Sequence, residues 1–530
     1  MFDSTVSAIP LPSTIVLHNF KALASFVFLA LIGYIIVPLF IRKNIVDANG
    51  HPIPPGPLLR YAFIRNHFEL KLYAWAKKYG PIYSLFMGNQ LFVILNDPHV
   101  AKDILVTNGS IFSSRKNYFL KHQIILKGGG ITGAQYNDTW RKHRRIAMSL
   151  LTPKAIEKYA HVLDYEAHIM VRSLFRDTQQ GSMPVNPHHY AGRFVLNNML
   201  TVSFGMRTDS SDDPLVSRAL YLADEFMELT GPFSNIIDFI EPLQWLPTSQ
   251  RTRGRKLRDG MIEVYGAMIN QVKERMDNDE NVPDCLVKTL LEVREKEGLS
   301  WEDMCMLCAV FILGGVHTTS SIIHWCLARL PSHPEVQAKA HEELDRVMGR
   351  DTWPTAEDEH KLPYLRAIIK EVERVHTPFL VATPHYSIED FVYNGYFIPK
   401  DTVVILNTYT LHQNEERYPD ATKFSPERYI DDKLSASESA KLADPMQRDH
   451  WSFGAGRRFC PGVVVAEHEL WLAISRLLWC FKIEAIPNEP ITLGEYEGLS
   501  GSHPLPYRVK LIPRHEGVAE MIDSRDETQI

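Results

Sequence analysis

Apolar residues recur at helical spacing along most of this chain, and short apolar runs bounded by glycine or proline occupy the rest. The helical spacing predicts helices over residues 68–79, most of 151–297, 301–330 and 364–376, and a last helix that ends near 481. The short runs predict strands over residues 82–87, 91–95 and 402–406, and strands and turns over 491–512. Together these patterns predict a mainly α protein with small β-sheets, an α+β fold.

Several helix starts carry capping signals. The side-chain oxygen of Asn137 can accept a hydrogen bond from the free N–H groups of a helix that begins near Trp140. The pairs Ser300–Asp303 and Ser332–Glu335 have the spacing of a capping box, in which a side chain at each end bonds the backbone of the other. We therefore expect helices to begin after Ser300 and after Ser332.

One segment differs from a globular sequence. Residues 22–41 form a run of twenty without a charged side chain, which is the length of a helix that crosses a bilayer. Arg42 and Lys43 follow it and favour a cytoplasmic position for the rest of the chain. A cleaved signal peptide is the alternative, and it is weaker because the run is long and no small-residue cleavage site follows.

These features predict how the chain is divided. We expect an N-terminal luminal segment (1–21), a transmembrane helix (22–41), a basic and proline-rich linker (42–57), a main domain (58–512) and a polar, disordered tail (513–530).

Composition excludes some classes of function. The 530 residues are 45% hydrophobic and 23% charged, as in an ordinary globular protein, and their number suits one large enzyme or two to three domains. A net charge of −6 gives no sign of nucleic-acid binding. Six scattered cysteines do not form a disulfide framework, and the pair Cys305 and Cys308 lies in an apolar helical run that favours core packing.

The candidate chemistry centres on Cys460. This cysteine follows a glycine-rich turn and precedes Pro461, which suits the first position of a helix. The free N–H groups of a helix start, with Arg457 and Arg458 nearby, predict a thiolate rather than a thiol. Such a sulfur could be a nucleophile, a metal ligand or a buried apolar group.

The residues around Cys460 resemble the haem-binding signature of the cytochrome P450 monooxygenases, FxxGxRxCxG. Phe453, Gly456, Arg458, Cys460 and Gly462 occupy its five specified positions. The resemblance implies the cytochrome P450 fold, with residues 58–512 as a haem-thiolate catalytic domain and these five residues around haem b. It also implies that Cys460 is the thiolate ligand of the iron.

Two further segments resemble places where the family contacts the haem propionates. Trp140 and Arg144 match the family's WxxxR motif and share one helix face because they are four residues apart. His385 stands where relatives often have a propionate-binding arginine or histidine. From the residues alone, the helix that begins at Trp140 is equally a solvated basic face.

The long apolar helix carries the segment Gly314–Ser320, which resembles the family's oxygen-binding groove. Gly314, Gly315, Thr318 and Thr319 match the pattern, and the resemblance implies that Thr318 assists dioxygen cleavage as a proton donor. A threonine bonded to its own helix carbonyl is the simpler alternative. His317 departs from the pattern, because the family usually has an acid there; a proton relay, a substrate contact and an ordinary core histidine are all open for it.

A third match concerns Glu371, Arg374 and Arg428. Glu371 and Arg374 fit the family's ExxR motif, and Arg428 fits the PER segment that follows it. On spacing alone, the first two could be an ordinary surface ion pair. The resemblance implies a buried structural network that holds the cysteine loop.

The resemblance also implies partners. The chain has no flavin or nicotinamide motif, so we expect electrons from NADPH to arrive through NADPH–cytochrome P450 reductase, with cytochrome b5 as a second donor, at the endoplasmic reticulum membrane. Basic residues next to Arg144 could face that donor. Phe226, Phe233, Phe239 and Trp245 fit an apolar substrate pocket and fit a plain core equally well. Hydroxylation, an outcome such as desaturation, ring closure or coupling, and a non-catalytic haem sensor or electron carrier remain open.

Overall fold

A computed structural model describes residues 45–57, 60–61, 67–210, 213–233, 235–498 and 501–523, and isolated residues 25, 28–29 and 32–33. The predicted luminal segment and most of the predicted transmembrane helix lie outside the described residues, as does the end of the predicted tail.

Helices dominate the described chain. They are α1 (Phe68–Tyr79), α2 (Pro98–Lys102), α3 (Gly109–Phe112), α4 (Asp138–Met148), α5 (Pro153–Asp177), α6 (His188–Phe204), α7 (Pro214–Leu229), α8 (Ser249–Asp277), α9 (Leu286–Glu297), α10 (Trp301–Arg329), α11 (Pro334–Val347), α12 (Pro363–Val375), α13 (Thr408–His412), α14 (Ala436–Ser439), α15 (Val463–Cys480) and α16 (Gly517–Asp523). Single turns of 3₁₀ or π geometry connect several of them, including Asp103–Thr107, Leu330–Ser332, Pro426–Tyr429 and Gly456–Arg458.

The strands form one sheet and three ribbons. They are β1 (Arg60–Tyr61), β2 (Ile82–Met87), β3 (Gln90–Leu95), β4 (His385–Tyr386), β5 (Phe391–Tyr393), β6 (Tyr396–Ile398), β7 (Val403–Leu406), β8 (Phe481–Ala485), β9 (Tyr496–Glu497), β10 (His503–Pro504) and β11 (Val509–Pro513). The sheet has the order β1-β2-β3-β7-β4, and the ribbons pair β5 with β6, β8 with β11 and β9 with β10. The predicted mainly α fold with small sheets is therefore confirmed.

Helix α10 is the centre of the packing. It is apolar all round and buried along nearly its whole length, including Cys305 and Cys308, because α6, α7, α8 and α15 pack against it. With the turn that follows, it is the one helix among the described residues that is long and apolar enough to cross a membrane. Since 83% of its most apolar stretch is buried inside the protein, it is a core helix.

Local signals placed most element boundaries correctly. Asn137 accepts a hydrogen bond from the N–H of Trp140 at 2.9 Å, and Ser300 and Asp303 form the predicted capping box. The box predicted at Ser332 is wrong: His333 precedes α11 and makes no side-chain cap, because Ser332 is used in the 3₁₀ turn that ends α10.

The chain after residue 512 differs from the predicted tail where it is described. Residue 513 still belongs to β11, and Gly517–Asp523 forms the short helix α16. Val518 and Ile522 of this helix are buried against the core, which explains its order.

Candidate active site

A cavity of about 280 Å³ lies between α10 and the loop that precedes α15. Nine of the residues that the resemblance placed at the haem or at the oxygen groove line it: Arg144, Gly314, Gly315, Thr318, His385, Phe453, Arg458, Cys460 and Gly462. Among the described residues, Trp140, Gly456 and His317 are not part of the lining. The sequence motifs therefore converge on one space, although these three residues do not line it.

Cys460 lies on the wall of the cavity at the end of a tight turn. Its backbone N–H donates to the carbonyl of Phe453 at 2.9 Å, which closes the loop just before α15. Burial raises the pKa of the Cys460 thiol, while the backbone N–H of Gly462 and the charge of Arg144 act in the opposite direction. The prediction that the protein alone favours the thiolate is thus wrong, because the cost of burying a charge exceeds these contributions; a coordinated metal cation would reverse it.

Gly456 gives the cysteine loop its close fit to the neighbouring backbone. Its φ is +61°, and a Cβ there would lie 2.0 Å from the carbonyl oxygen of Leu105. Only glycine combines this conformation with this approach. Gly456 therefore positions the loop against the Asp103–Thr107 turn rather than touching a cofactor itself.

Three arginines line the cavity without a carboxylate partner among the described residues: Arg115 and Arg458, which are buried, and Arg144, which is partly buried. Burial lowers the pKa of Arg115 to about 9 and that of Arg458 to about 8, and it lowers the pKa of Arg144 as well. Their N–H groups reach backbone carbonyls, for example from Arg144 to Phe459 at 2.6 Å. Buried cations are normally matched by an anion, so this wall is suited to an anionic group.

Trp140 supports this cationic wall from behind. Its indole N–H donates to the carbonyl of Ile131 at 2.9 Å, and the guanidinium of Arg458 lies 4.1 Å from the centre of its ring. The first contact fixes the loop and the second stabilises the buried charge. Here Trp140 acts through Arg458, not by a contact of its own with the cavity.

His385 reaches the cavity as a neutral ring. Its Nδ1 donates to the carbonyl of Phe112 at 2.8 Å, and burial holds its pKa well below the ordinary value. In that tautomer Nε2 presents a lone pair, so the ring can donate to a carboxylate only when both nitrogens carry protons. A carboxylate beside it would favour that protonation.

The two glycines in the middle of α10 have different roles. A Cβ at Gly314 would meet nothing within 4 Å, so this position is open toward the cavity. A Cβ at Gly315 would lie 2.3 Å from the sulfur of Met199, so this position lets α6 approach α10. One glycine leaves room for a bound group and the other allows helix packing.

Thr318 lies in the same open groove. Its hydroxyl donates to the carbonyl of Gly314 at 2.8 Å, which is the simple alternative considered from the sequence. That bond uses the only proton of the hydroxyl and leaves its lone pairs free toward the cavity. In this rotamer Thr318 can accept a hydrogen bond from a molecule in the groove.

His317 lies on a different face of α10. It is buried against the C-terminal loop, where a Cβ on Gly501 would meet the ring at 2.5 Å, and its ring centre is 4.0 Å from that of His503. Burial lowers its pKa to about 3, so the ring is neutral. Of the three interpretations of His317, an ordinary core histidine fits this placement. A proton relay or a substrate contact would require the side chain to lie on the face of α10 that lines the cavity.

Glu371 and Arg374 form a fully buried bidentate pair, with bonds of 2.7 and 2.8 Å. Arg374 also donates to the carbonyl of His412, whose Nε2 accepts the N–H of Trp451 just before the cysteine loop. Arg428 donates to Glu371 at 3.3 Å. The three residues therefore lie together, and hydrogen bonds link them to the cysteine loop.

Comparison with known proteins settles the family. The sequence model described as Cytochrome P450 matches residues 51–511, most of the chain. The chain belongs to the cytochrome P450 family. It is 31% identical over 499 residues to the cytochrome P450 monooxygenase virE of Hypocrea virens, covering 91% of this chain and 89% of that relative. It is 32% identical over 479 residues to the cytochrome P450 monooxygenase patH of Aspergillus clavatus, with coverage of 86% and 89%.

The cavity of this P450 fits the haem that the family implies. Cys460 offers a sulfur ligand, and Arg115, Arg144 and Arg458 offer the cations that two propionates require. A Cβ at Gly314 or at Gly462 would meet nothing within 4 Å, so both positions leave space beside the cavity for a flat macrocycle. When bound through a thiolate, haem supplies the redox chemistry of dioxygen activation.

Two lining residues were missed from the sequence. Arg115 had no local signal, because its neighbours form no motif. Glu469 had one, since it and Glu467 are the only two acids in the largely apolar helix α15: Glu469 is buried beside Asn198 and Thr319, and burial raises its pKa to about 8. A carboxylic acid that keeps its proton near neutral pH can donate a proton inside the cavity.

Proposed function

We propose that this P450 is a membrane-anchored monooxygenase that oxidises a small, largely apolar organic molecule, an intermediate of secondary metabolism, with O₂ and electrons from NADPH. The observation that carries the proposal is one cavity whose wall includes both Cys460 and Thr318. A concave site with a redox group at one wall and a hydroxyl at the groove is what substrate oxygenation requires.

The side chains above the cysteine support an apolar substrate. Phe226, Phe311 and Phe379 line the cavity together with several aliphatic side chains. Of the other aromatic candidates, Phe233 and Phe239 pack on Phe92 in the core. The likeness to fungal monooxygenases favours a substrate from secondary metabolism.

Thr318 and its groove would handle the proton needed for oxygen cleavage. The lone pairs of its hydroxyl would hold a water or a substrate hydroxyl at the groove, and a proton could then move along that bond. The open position at Gly314 leaves room for such a molecule beside the helix backbone.

The outer face of α4 would receive the electron donor. Arg144 points inward from this helix to the carbonyl of Phe459, next to Cys460, while Arg141 and Arg145 are exposed on the outside. A basic surface this close to the cysteine would attract an acidic flavoprotein such as NADPH–cytochrome P450 reductase, with cytochrome b5 as a second donor.

Membrane attachment would come from residues 22–41, the uncharged run of the sequence, at the endoplasmic reticulum with the catalytic domain in the cytoplasm. Two exposed apolar side chains support a second contact with lipid: Trp245 is 87% and Leu246 53% exposed. Tryptophan is favoured at the interface between lipid and water.

A difference spectrum of the reduced protein with carbon monoxide tests the haem-thiolate assignment. Binding of carbon monoxide with a thiolate signature is expected, and failure to bind it would favour the non-catalytic sensor or carrier instead. That alternative would need a second protein ligand for the iron, and His317, the candidate for it, lies outside the cavity lining. Turnover with the reductase on extracts of a strain lacking the gene, followed by product analysis, separates hydroxylation from desaturation, ring closure or coupling.

A further inference from the structure

Four histidines meet on the side of α10 that faces away from the cavity. His317 and His324 lie two turns apart on α10, His188 begins α6, and His503 belongs to β10. One ring nitrogen from each of His188, His324 and His503 lies within 4.8 Å of the others. The ring of His317 contacts His503 edge-on, with ring centres 4.0 Å apart.

The nitrogens of this cluster are poorly satisfied. Nε2 of His324 and Nδ1 of His317 are buried and have no hydrogen-bond partner among the described residues. The ring of His503 contacts only the backbone of His317 by hydrogen bonding, which leaves its other nitrogen buried without a partner among the described residues. Buried polar atoms are normally paired, so three such atoms in one place need an explanation. Packing alone would be served better by apolar side chains.

His324 has the hydrogen-bonding arrangement of a metal-binding histidine. The backbone at Pro187 and His188 hydrogen-bonds its ring, which leaves Nε2 as the bare nitrogen. A hydrogen bond from one ring nitrogen to a backbone carbonyl is the usual arrangement of a metal-binding histidine, because it fixes the tautomer and aims the other nitrogen. The ring of His188 stacks on it with centres 4.9 Å apart.

The rings are held in the neutral form that binds metals. Burial lowers the pKa of His188, His324 and His503, so each nitrogen lone pair is available. His188 is partly exposed, which gives an ion a path from solvent to the cluster. The β10 strand is fixed in place because Trp325 of α10 donates to the carbonyl of Ser502 at 3.2 Å.

We propose that His188, His324 and His503 form a binding site for one divalent first-row transition ion of the zinc class, separate from the haem. Three imidazoles suit Zn²⁺, Cu²⁺ or Ni²⁺ and leave a fourth position for water. Bonds of about 2.0 Å place the ligand atoms about 3.4 Å apart, so the rings need to close by roughly an ångström. His317 packs on His503 and orients it.

The site would join three segments behind the oxygen groove. It would fasten the start of α6 and the β9–β10 ribbon to α10 at His324, six residues from Thr318. The histidine that replaces the family's usual acid at residue 317 then belongs to this cluster. Binding would stiffen α10 and would raise the melting temperature of the haem-loaded protein as zinc saturates the site.

The test is metal binding by the untagged, haem-loaded full chain in detergent. The protein is stripped with a chelator and dialysed against micromolar Zn²⁺, and zinc and iron are counted by mass spectrometry; Co²⁺ then reports geometry through its absorption. One zinc per haem and a tetrahedral cobalt spectrum are expected. The single variants His188→Gln and His503→Gln should each weaken binding about tenfold or more, and their double variant should abolish it.

His161→Gln is the matched control, because His161 is an exposed histidine of α5. It should bind zinc as the unchanged protein does. A retained carbon monoxide spectrum shows that each variant is folded, and the partly exposed His188 carries the test if variants at buried positions do not fold. The proposal is overturned if the unchanged chain retains no zinc, or if the double variant binds it with the same affinity and stoichiometry.

Discussion

The pair of Glu371 and Arg374 is the part of this P450 where a single substitution should be most costly. Both side chains are inaccessible to solvent, and Glu371 also accepts from Arg428 and from the N–H of Ser425 at 2.8 Å. Glu371→Gln keeps the shape of the side chain and removes its charge. Two guanidinium groups then lose their only carboxylate among the described residues.

The expected cost follows from burial. Breaking a buried ion pair by removing one charge costs about 3–5 kcal/mol, because the remaining charge stays away from water. A domain is stable by about 5–15 kcal/mol, so this substitution removes a large share of the total. Glu427→Gln is the matched control: Glu427 pairs with Lys339 at 2.6 Å, but both side chains are about half exposed, and such pairs contribute about 0–1 kcal/mol.

The assay is the temperature at which the haem-loaded protein loses its thiolate signature with carbon monoxide. Arg374 bonds the carbonyl of His412, and His412 holds the N–H of Trp451 before the cysteine loop, so that signature should be lost early in Glu371→Gln. The reasoning fails if Glu371→Gln shifts the midpoint no further than Glu427→Gln does.

Other substitutions test the remaining features of the site. Gly315→Ala should destabilise by about 1–3 kcal/mol in denaturant titrations because its methyl group would overlap Met199, whereas Gly314→Ala, with open space around it, should be neutral or gain up to about 1 kcal/mol. Thr318→Ala should fold and bind carbon monoxide normally but lower product formed per NADPH up to about 10²-fold, with recovery in Thr318→Ser, and equal coupling in all three would refute the role of the hydroxyl. Glu469 has its pKa raised to about 8, so between the ordinary glutamate pKa and about 8 the folded protein keeps a proton that the unfolded chain has released, and stability falls as pH rises through that window. Glu469→Gln should flatten this fall in melts from pH about 5 to about 9, and an unchanged slope would show that another group causes it.

Sequence patterns located the cysteine side of the site because the residues that form each signal there are close together in the chain. The cysteine turn, the Glu371–Arg374 spacing and the caps at Asn137 and Ser300 each lie within a few residues of chain, and the structure forms all of them. The resemblance to the family then predicted that motifs hundreds of residues apart in the chain form one site. Neither the sequence patterns nor the family resemblance showed that the pKa of Cys460 would be raised, because the burial of Cys460 depends on the whole fold.

Contacts between distant segments were the part that sequence could not supply. Gly314 and Gly315 are neighbours in a motif, yet only the packing of Met199 shows that the second serves helix contact. Arg115 joins the cationic wall through the carbonyls of Thr383 and Pro384, more than 250 residues away. Such residues belong to no recognisable motif in the sequence.

The departure at His317 changes where an acid can act in this P450. Gly314 and Thr318 are four apart and share the cavity face of α10, whereas His317 and His324 are seven apart and share the face toward β10. The histidine therefore brings no titrating group into the cavity. Two acids line it instead: Glu373, whose carboxylate lies 3.2 Å from Nε2 of His450, and Glu469, which is buried beside Thr319. Because Glu373 is already paired, Glu469 on α15 is the acid best placed to hold a proton for the groove of Thr318.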